Sequence, residues 1–153
     1  MIRTFIAIPV DCTPALEEIR QRISGELAAF PIKWSSPGNF HITLAFLGNT
    51  DEKIIAQLIN KTESMLKSFH PFTIRIAGAG SFHGKAIWLG TEHCETLMQM
   101  RTAVAEALNL FGYSIDTKIF FPHMTLGQPK FANNERQIGK HTGRLVGRRQ
   151  LDH

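Results

Sequence analysis

Residues 40–44 read Phe-His-Ile-Thr-Leu, and residues 122–126 read Pro-His-Met-Thr-Leu. The same His-x-Thr-Leu pattern therefore occurs twice, and the apolar and β-branched residues of each copy predict a β-strand. Successive side chains of a strand point to opposite faces, so each histidine shares a face with the threonine two residues on. Each strand is thus predicted to present an imidazole and a hydroxyl side by side.

Two such strands facing each other would supply the groups needed for phosphodiester chemistry. An imidazole has an unperturbed pKa of about 6.5, so near neutral pH one histidine can accept a proton from water while the other donates one to a departing oxygen. Threonine hydroxyls are short donors suited to non-bridging phosphate oxygens. A lone histidine in a strand is more often structural, but a polar pair repeated on two otherwise apolar strands indicates a site. This scheme needs no metal and no other cofactor.

The rest of the chain predicts short strands that alternate with helices. Apolar residues at helical spacing predict helices from about Pro14 to Phe30, from Asp51 to Phe69 and from Glu95 to Phe111. Because hairpins occur among the strands, we expect an α+β fold with mixed or antiparallel sheets. The predicted strands cover residues 3–10, 33–35, 40–47, 72–77, 86–89, 113–119 and 121–126.

The net positive charge of the chain comes from its last 24 residues. The formal net charge is +4, yet residues 1–129 contain 11 basic and 11 acidic side chains, whereas residues 130–153 contain 6 basic and 2 acidic ones. The last segment also has few apolar residues and no sustained period. We therefore expect one functional domain over residues 1–130, followed by a basic tail over residues 131–153 that is loop or disordered.

Several classes of protein are disfavoured by the same sequence. The apolar run Phe5–Val10 is too short for a secretory signal, and no run reaches the roughly 20 apolar residues of a membrane span. Cys12 and Cys94 lie far apart and have no second ligand at metal spacing, so they predict reduced thiols. We expect a monomeric, cytoplasmic protein with no membrane association and no obligate protein partner.

The two motifs resemble those of the two-histidine (2H) phosphoesterase superfamily. The first is followed by Phe46–Gly48 and the second is preceded by Phe121, while the opening Arg3–Ile8 and the dipeptide Lys33–Trp34 are similar to one branch of that superfamily. This branch comprises the bacterial and archaeal RNA 2′,3′-cyclic phosphodiesterases, historically called 2′-5′ RNA ligases. The resemblance covers residues 2–130 and rests on the order, separation and flanks of the motifs.

The resemblance implies a bilobal, pseudo-symmetric 2H phosphoesterase-like fold, in which each lobe contributes a His-x-Thr strand to a central groove. It implies hydrolysis of a 2′,3′-cyclic phosphate, at an RNA or nucleotide end, to a 2′-phosphate. His41 is then the general acid, His123 is the general base, and Thr43 and Thr125 hold the phosphate. Phe46 corresponds to an aromatic position near the substrate base, although alternation from His41 puts it on the other face unless the strand bends.

The C-terminal part departs from the family pattern. Family members commonly have an arginine shortly after the second motif, where this chain has Gly127–Lys130. Lys130 is therefore the candidate substrate-binding cation, without the bidentate grip of an arginine. Residues 131–153 offer no further strand-like sequence, so the second lobe is expected to be incomplete.

Two other functions remain open at this stage. An RNA-binding module would keep the same groove with weak or no catalysis, which the altered C-terminal part favours. A histidine metal site is disfavoured, because no carboxylate or third histidine lies at useful spacing from the two motifs.

Overall fold

The computed structural model describes residues 1–115 and 120–145. The described residues form six strands, four α-helices and two single-turn 3-10 helices. In chain order these are β1 (Ile2–Pro9), α1 (Pro14–Glu26), β2 (Ile32–Trp34), the 3-10 turn Pro37–Asn39, β3 (His41–Thr50), α2 (Glu52–Leu66), β4 (Ile76–Ser81), β5 (Ile87–Thr91), α3 (Glu95–Leu110), β6 (His123–Pro129), the 3-10 turn Ala132–Asn134 and α4 (Glu135–Leu145).

The strands form one sheet in the order β1-β3-β6-β5-β4, with β2 paired to β6 outside this path. The ladders of β6 with β2, β3 and β5 are antiparallel, as is the β4–β5 hairpin. The expected α+β fold is therefore confirmed. Two predicted strands differ. Residues 72–75 of the strand predicted over 72–77 are not in a strand, since β4 covers Ile76–Ser81, and residues 113–115 are not in a strand either. Residues 116–119 of that prediction lie outside the described residues.

The chain divides into two compact units. The first comprises Met1–Ile8, Thr43–Arg75 and Glu92–Pro122, and the second comprises Pro9–Ile42, Ile76–Thr91 and His123–His153. Strand β3 passes from the second unit to the first between Ile42 and Thr43.

The core of the first unit is built by α2, α3 and β3. The side chain of Asp51 accepts a hydrogen bond from the Lys53 N–H at 2.9 Å and so caps the start of α2. Helix α3 buries five side chains that recur at helical spacing on one face. They are Leu97, Met100, Val104, Ala107 and Leu108, and all of them but Ala107 belong to a core cluster with Leu44, Ala45, Leu58 and Ile115.

The core of the second unit is built by α1, α4 and the strands. The Thr13 hydroxyl accepts a hydrogen bond from the Leu16 N–H at 3.2 Å, and Pro14 occupies the first helical position, which together fix the start of α1. The strands contribute side chains that are at most 2% exposed, namely Ile42, Ile87, Leu89, Met124 and Leu126, next to Phe40 before β3. In the described part of the chain no helix is long and apolar enough to cross a membrane.

The C-terminal segment corrects one expectation. Loop or disorder was expected over residues 131–153, yet residues 135–145 form α4 and Ile138 is fully buried. The hydroxyls of Thr142 and Ser81 are hydrogen-bonded at 2.9 Å, which ties α4 to β4. Glycines 139 and 143 and the basic composition concealed this helix, because glycine disfavours a helix that lacks tertiary contacts. Residues 146–153 lie outside the described residues.

Gly84 provides a test of how closely α4 packs on the hairpin. Its φ is +73°, and a Cβ built on it would overlap the backbone carbonyl of Glu135. We expect Gly84→Ala to lower the free energy of unfolding by about 2–5 kcal/mol. The alanine would hold a strained left-handed backbone, and its Cβ would also displace α4. Urea unfolding followed by circular dichroism measures the loss.

Gly78→Ala is the matched control. Gly78 has a φ of +79° but no atom within 4 Å of the added Cβ. It should lower the free energy of unfolding by only about 1–2 kcal/mol, from backbone strain alone. Equal losses for the two variants would contradict the close packing of α4 on Gly84.

Candidate active site

The two His-x-Thr strands are neighbours in the sheet. β3 and β6 pair antiparallel with Ile42 opposite Met124, and both side chains are fully buried. In an antiparallel ladder the residue before Ile42 faces the residue after Met124, so His41 lies across from Thr125. Alternate side chains leave a strand on opposite faces. His41, His123 and Thr125 therefore share the face opposite to the buried Ile42–Met124 pair.

Burial follows the same alternation on both strands. Half-buried and buried positions alternate over residues 41–44 of β3 and over residues 123–126 of β6, and the half-buried positions are the histidines and threonines. His41, His123 and Thr125 all belong to the second unit. Thr43 follows His41 by two residues on β3 and is the first residue of the next segment of the first unit.

A backbone carbonyl sets the tautomer of His41. The Nδ1 atom of His41 lies 2.7 Å from the carbonyl oxygen of Asn39, in the 3-10 turn that precedes β3. A carbonyl only accepts hydrogen bonds, so Nδ1 carries a proton and donates it. The Asn39 carbonyl therefore favours the tautomer of His41 with the proton on Nδ1. This role of Asn39 was not predicted from the sequence, where Pro37 and Gly38 indicate only a turn before the strand.

The Phe82 ring lies beside His123 in the second unit. The two rings meet edge to face, with centroids 4.9 Å apart and planes at 80°. Trp88 on β5 lies opposite Thr125, and Gly90 lies opposite His123. Neither Phe82 nor Trp88 was predicted as a site residue from the sequence, because their positions depend on how the β4–β5 hairpin pairs with β6.

Phe46 reaches the surface through an irregularity in β3. The consecutive residues Leu44 and Ala45 are both buried, so the alternation that holds up to Leu44 shifts by one residue. Phe46 is consequently 68% exposed. Its ring centroid lies 6.2 Å from that of Phe5, another exposed side chain of the first unit. The assignment of Phe46 to the substrate base stays a prediction.

Lys130 lies at the C-terminal end of β6. It is exposed and lies one residue beyond β6, where its backbone N–H donates to the Pro31 carbonyl at 3.0 Å. The pairing of β6 with β5 shifts register between Thr125 and Gly127, so alternation from His123 does not assign a face to position 130. The substrate contact of Lys130 stays a prediction.

The described residues offer neither a metal site nor an activated thiol near these groups. In residues 1–115 and 120–145, no three His, Cys, Asp or Glu side chains are grouped so as to hold a metal ion. Burial and the neighbouring Glu17 carboxylate raise the pKa of the Cys12 thiol, which disfavours a nucleophilic thiolate. The Arg20 guanidinium holds the pKa of Glu17 down at about 2, so that carboxylate is charged near neutral pH.

Comparisons with known proteins agree with this geometry. The model of the family described as LigT-like phosphoesterase matches residues 6–88, a range that contains His41 and ends before His123. The RNA 2′,3′-cyclic phosphodiesterase of Thermotoga maritima is 32% identical over 139 residues, which are 85% of this chain and 71% of that protein. The protein of the same name from Methanothermobacter thermautotrophicus is 29% identical over 150 residues, 94% of this chain and 80% of that protein.

Solved structures give the same result. The crystal structure of Escherichia coli LigT complexed with 3′-AMP superposes with a TM-score of 0.62 at 27% identity, covering 85% of this chain and 75% of LigT. Protein TT0787 of Thermus thermophilus superposes with a TM-score of 0.70 at 24% identity, with the same coverage of the two chains. The latter similarity supports the fold alone.

The contact between His41 and Asn39 predicts an uncommon tautomer. We expect neutral His41 to carry its proton on Nδ1, because the Asn39 carbonyl can only accept a hydrogen bond from that nitrogen. Long-range ¹H–¹⁵N correlation spectra as a function of pH distinguish the two nitrogens. His93 is the internal control, since its Nε2 lies 3.2 Å from the Glu95 carboxylate and it should show the opposite tautomer. A proton on Nε2 of neutral His41 would contradict this assignment.

Proposed function

This chain belongs to the LigT-like phosphoesterase family, and we propose that it hydrolyses 2′,3′-cyclic phosphates at RNA or nucleotide ends to 2′-phosphates. The observation that carries the proposal is the register of β3 and β6. With Ile42 opposite Met124, the two histidines lie on one face of adjacent strands. This arrangement suits a reaction in which one imidazole donates a proton while the other accepts one.

We assign the proton acceptor to His123 and the proton donor to His41, as the family resemblance implies. His123 takes a proton from water as the water oxygen attacks phosphorus. The bond between phosphorus and the 3′ oxygen breaks, and His41 donates the proton that the 3′ oxygen needs to leave as a hydroxyl. The product is a 2′-phosphate next to a free 3′-hydroxyl. Proton exchange with solvent then restores both histidines.

The Asn39 carbonyl supports the role of His41. Because Nδ1 donates to that carbonyl, the proton delivered to the leaving oxygen comes from Nε2. The imidazolium form is the donor, and in that form Nδ1 keeps its hydrogen bond to Asn39. One ring orientation therefore serves both the protonated and the neutral states of His41.

The two threonines are assigned to the phosphate. The side chain of Thr125 leaves β6 on the same face as both histidines, and its hydroxyl can donate to a non-bridging oxygen as negative charge develops there. Thr43 is assigned the same role from its place two residues after His41. Phe46, exposed and paired with Phe5, is assigned to the substrate base. A monomeric enzyme in the cytoplasm stays a prediction from the sequence.

The two histidine variants test this proposal most directly. His41→Ala and His123→Ala should each lower kcat by about 10²- to 10⁴-fold, because each removes one of the two proton transfers. Hydrolysis of 2′,3′-cyclic AMP is measured with and without EDTA, and ³¹P NMR assigns the position of the product phosphate. We expect a 2′-phosphate, undiminished activity in EDTA and a bell-shaped pH profile that loses one limb in each variant.

His93→Ala is the matched control, because His93 is an exposed histidine at the start of α3 and should leave the rate unchanged. A folded wild-type protein that hydrolyses no cyclic phosphate would sink the proposal. If that protein still bound RNA with salt-dependent affinity, and His41→Ala bound it equally well, the chain would be an RNA-binding module with the same fold.

Thr125→Val tests the phosphate contact, since it removes the hydroxyl and keeps the shape of the side chain. We expect kcat/KM for 2′,3′-cyclic AMP to fall by about 10²-fold, as for loss of one donor to a developing oxyanion. Thr102→Val is the control, because the Thr102 hydroxyl donates to the Met98 carbonyl within α3. Full activity of Thr125→Val would exclude Thr125 from the site.

A further inference from the structure

The β4–β5 hairpin brings an aromatic pair to His123. Phe82 contacts the His123 ring at 4.9 Å and the Trp88 ring at 5.5 Å, between centroids. Trp88 in turn lies over Gly80, where an added Cβ would come within 2.6 Å of the indole. Trp88, Phe82 and His123 thus form a continuous row of rings, in which Trp88 rests on the backbone of β4.

The turn of this hairpin fixes the position of Phe82. His83 and Gly84 both have positive φ, +51° and +73°, and the Lys85 N–H donates to the Phe82 carbonyl at 2.9 Å. The Phe82 N–H also donates to the Ala86 carbonyl at 3.0 Å, and the pairing of Ser81 with Ile87 leaves His83–Lys85 as a three-residue hairpin loop. Phe82 is therefore held at the start of this loop by two backbone hydrogen bonds.

Helix α4 docks on the same turn. The backbone of Glu135 lies against Gly84, and the Gly84 N–H donates to the Ser81 hydroxyl at 3.3 Å. The Ser81 hydroxyl is also hydrogen-bonded to Thr142 at 2.9 Å. Ser81, before Phe82, and Gly84, after it, therefore both contact α4. Gly84 contacts the first turn of the helix and Ser81 the third.

We propose that Phe82 is a positioning residue for His123 and that α4 holds Phe82 in place through the hairpin turn. This inference rests on the proposed function, in which His123 is the general base. An imidazole rotates about two side-chain bonds, and proton transfer needs one orientation. The Asn39 carbonyl orients His41, and the edge-to-face ring of Phe82 restricts His123 in a corresponding way. Phe82 itself takes no part in bond making.

Replacement of the ring tests the first half of the proposal. Phe82→Leu should lower kcat by about 2- to 10-fold, the range expected for an aromatic pair, with KM unchanged within about twofold. The pH limb that His123→Ala removes should shift in Phe82→Leu, and the ring-current shift of the His123 ring protons should disappear. Phe82→Tyr, which keeps the ring, should restore kcat, the pH limb and the chemical shifts.

A rise in KM with unchanged kcat would overturn the proposal, because Phe82 would then bind the substrate base. Unchanged kcat, KM and His123 shifts would overturn it as well. Should Phe82→Leu fail to fold, the second half of the proposal supplies the decisive measurement.

Thr142→Val tests the contribution of α4, since it removes only the hydroxyl that bonds Ser81. We expect the same changes as in Phe82→Leu, but smaller ones: kcat falls, KM is unchanged and the ring-current shift on His123 decreases. Thr102→Val makes the same chemical change on α3 and should alter none of these. His123 signals identical to those of the wild type in Thr142→Val would overturn the role of α4.

The same variants distinguish failure of this inference from failure of the proposed function. If His123→Ala keeps wild-type kcat, the proposed role of His123 fails, and the positioning role fails with it. If His123→Ala is inactive while Phe82→Leu matches the wild type in kcat and pH profile, only the positioning role fails.

Discussion

Ile42 on β3 and Met124 on β6 oppose each other with no exposed surface, and the candidate site depends on this contact. Burial of each side chain contributes about 1.5–3 kcal/mol of hydrophobic stabilisation. A slip of β6 by one residue against β3 would turn Met124 outward and His123 into the core. Because that alternative loses the burial energy and buries unpaired polar groups, the apolar pair holds the histidines on the open face.

The neighbouring strands show how small side chains permit close contacts around that face. Gly80 leaves room for the Trp88 ring, and Gly84 leaves room for the backbone of Glu135. Both glycines lie on the β4–β5 hairpin, one in a strand and one in its turn. The row of rings formed by Trp88, Phe82 and His123 therefore depends on two glycines, which have no side chain.

The sequence predicted most of the fold and the central residues of the candidate site, and particular residues explain the rest. Side chains alternate between the two faces of a strand, so the sequence of each His-x-Thr-Leu motif was enough to predict that its histidine and threonine share a face. Phe46 needed a shift of phase, which the consecutive burial of Leu44 and Ala45 supplies. The face of Lys130 does not follow from the sequence, because a register shift between β5 and β6 interrupts the alternation before it. Helix α4 was missed because Gly139 and Gly143 weaken its intrinsic helix propensity.

By itself the sequence determined the inventory of the protein: two strands with an imidazole and a hydroxyl each, an α+β fold, and a balanced charge over residues 1–129. These properties are local, since alternation, helical spacing and capping act over a few residues. Only the tertiary structure decided that β6 lies beside β3, that the Asn39 carbonyl holds His41, and that Phe82 meets His123. Such contacts join distant parts of the chain or depend on one backbone conformation. They are selected by the burial and hydrogen bonding of the whole fold, so local preferences do not predict them.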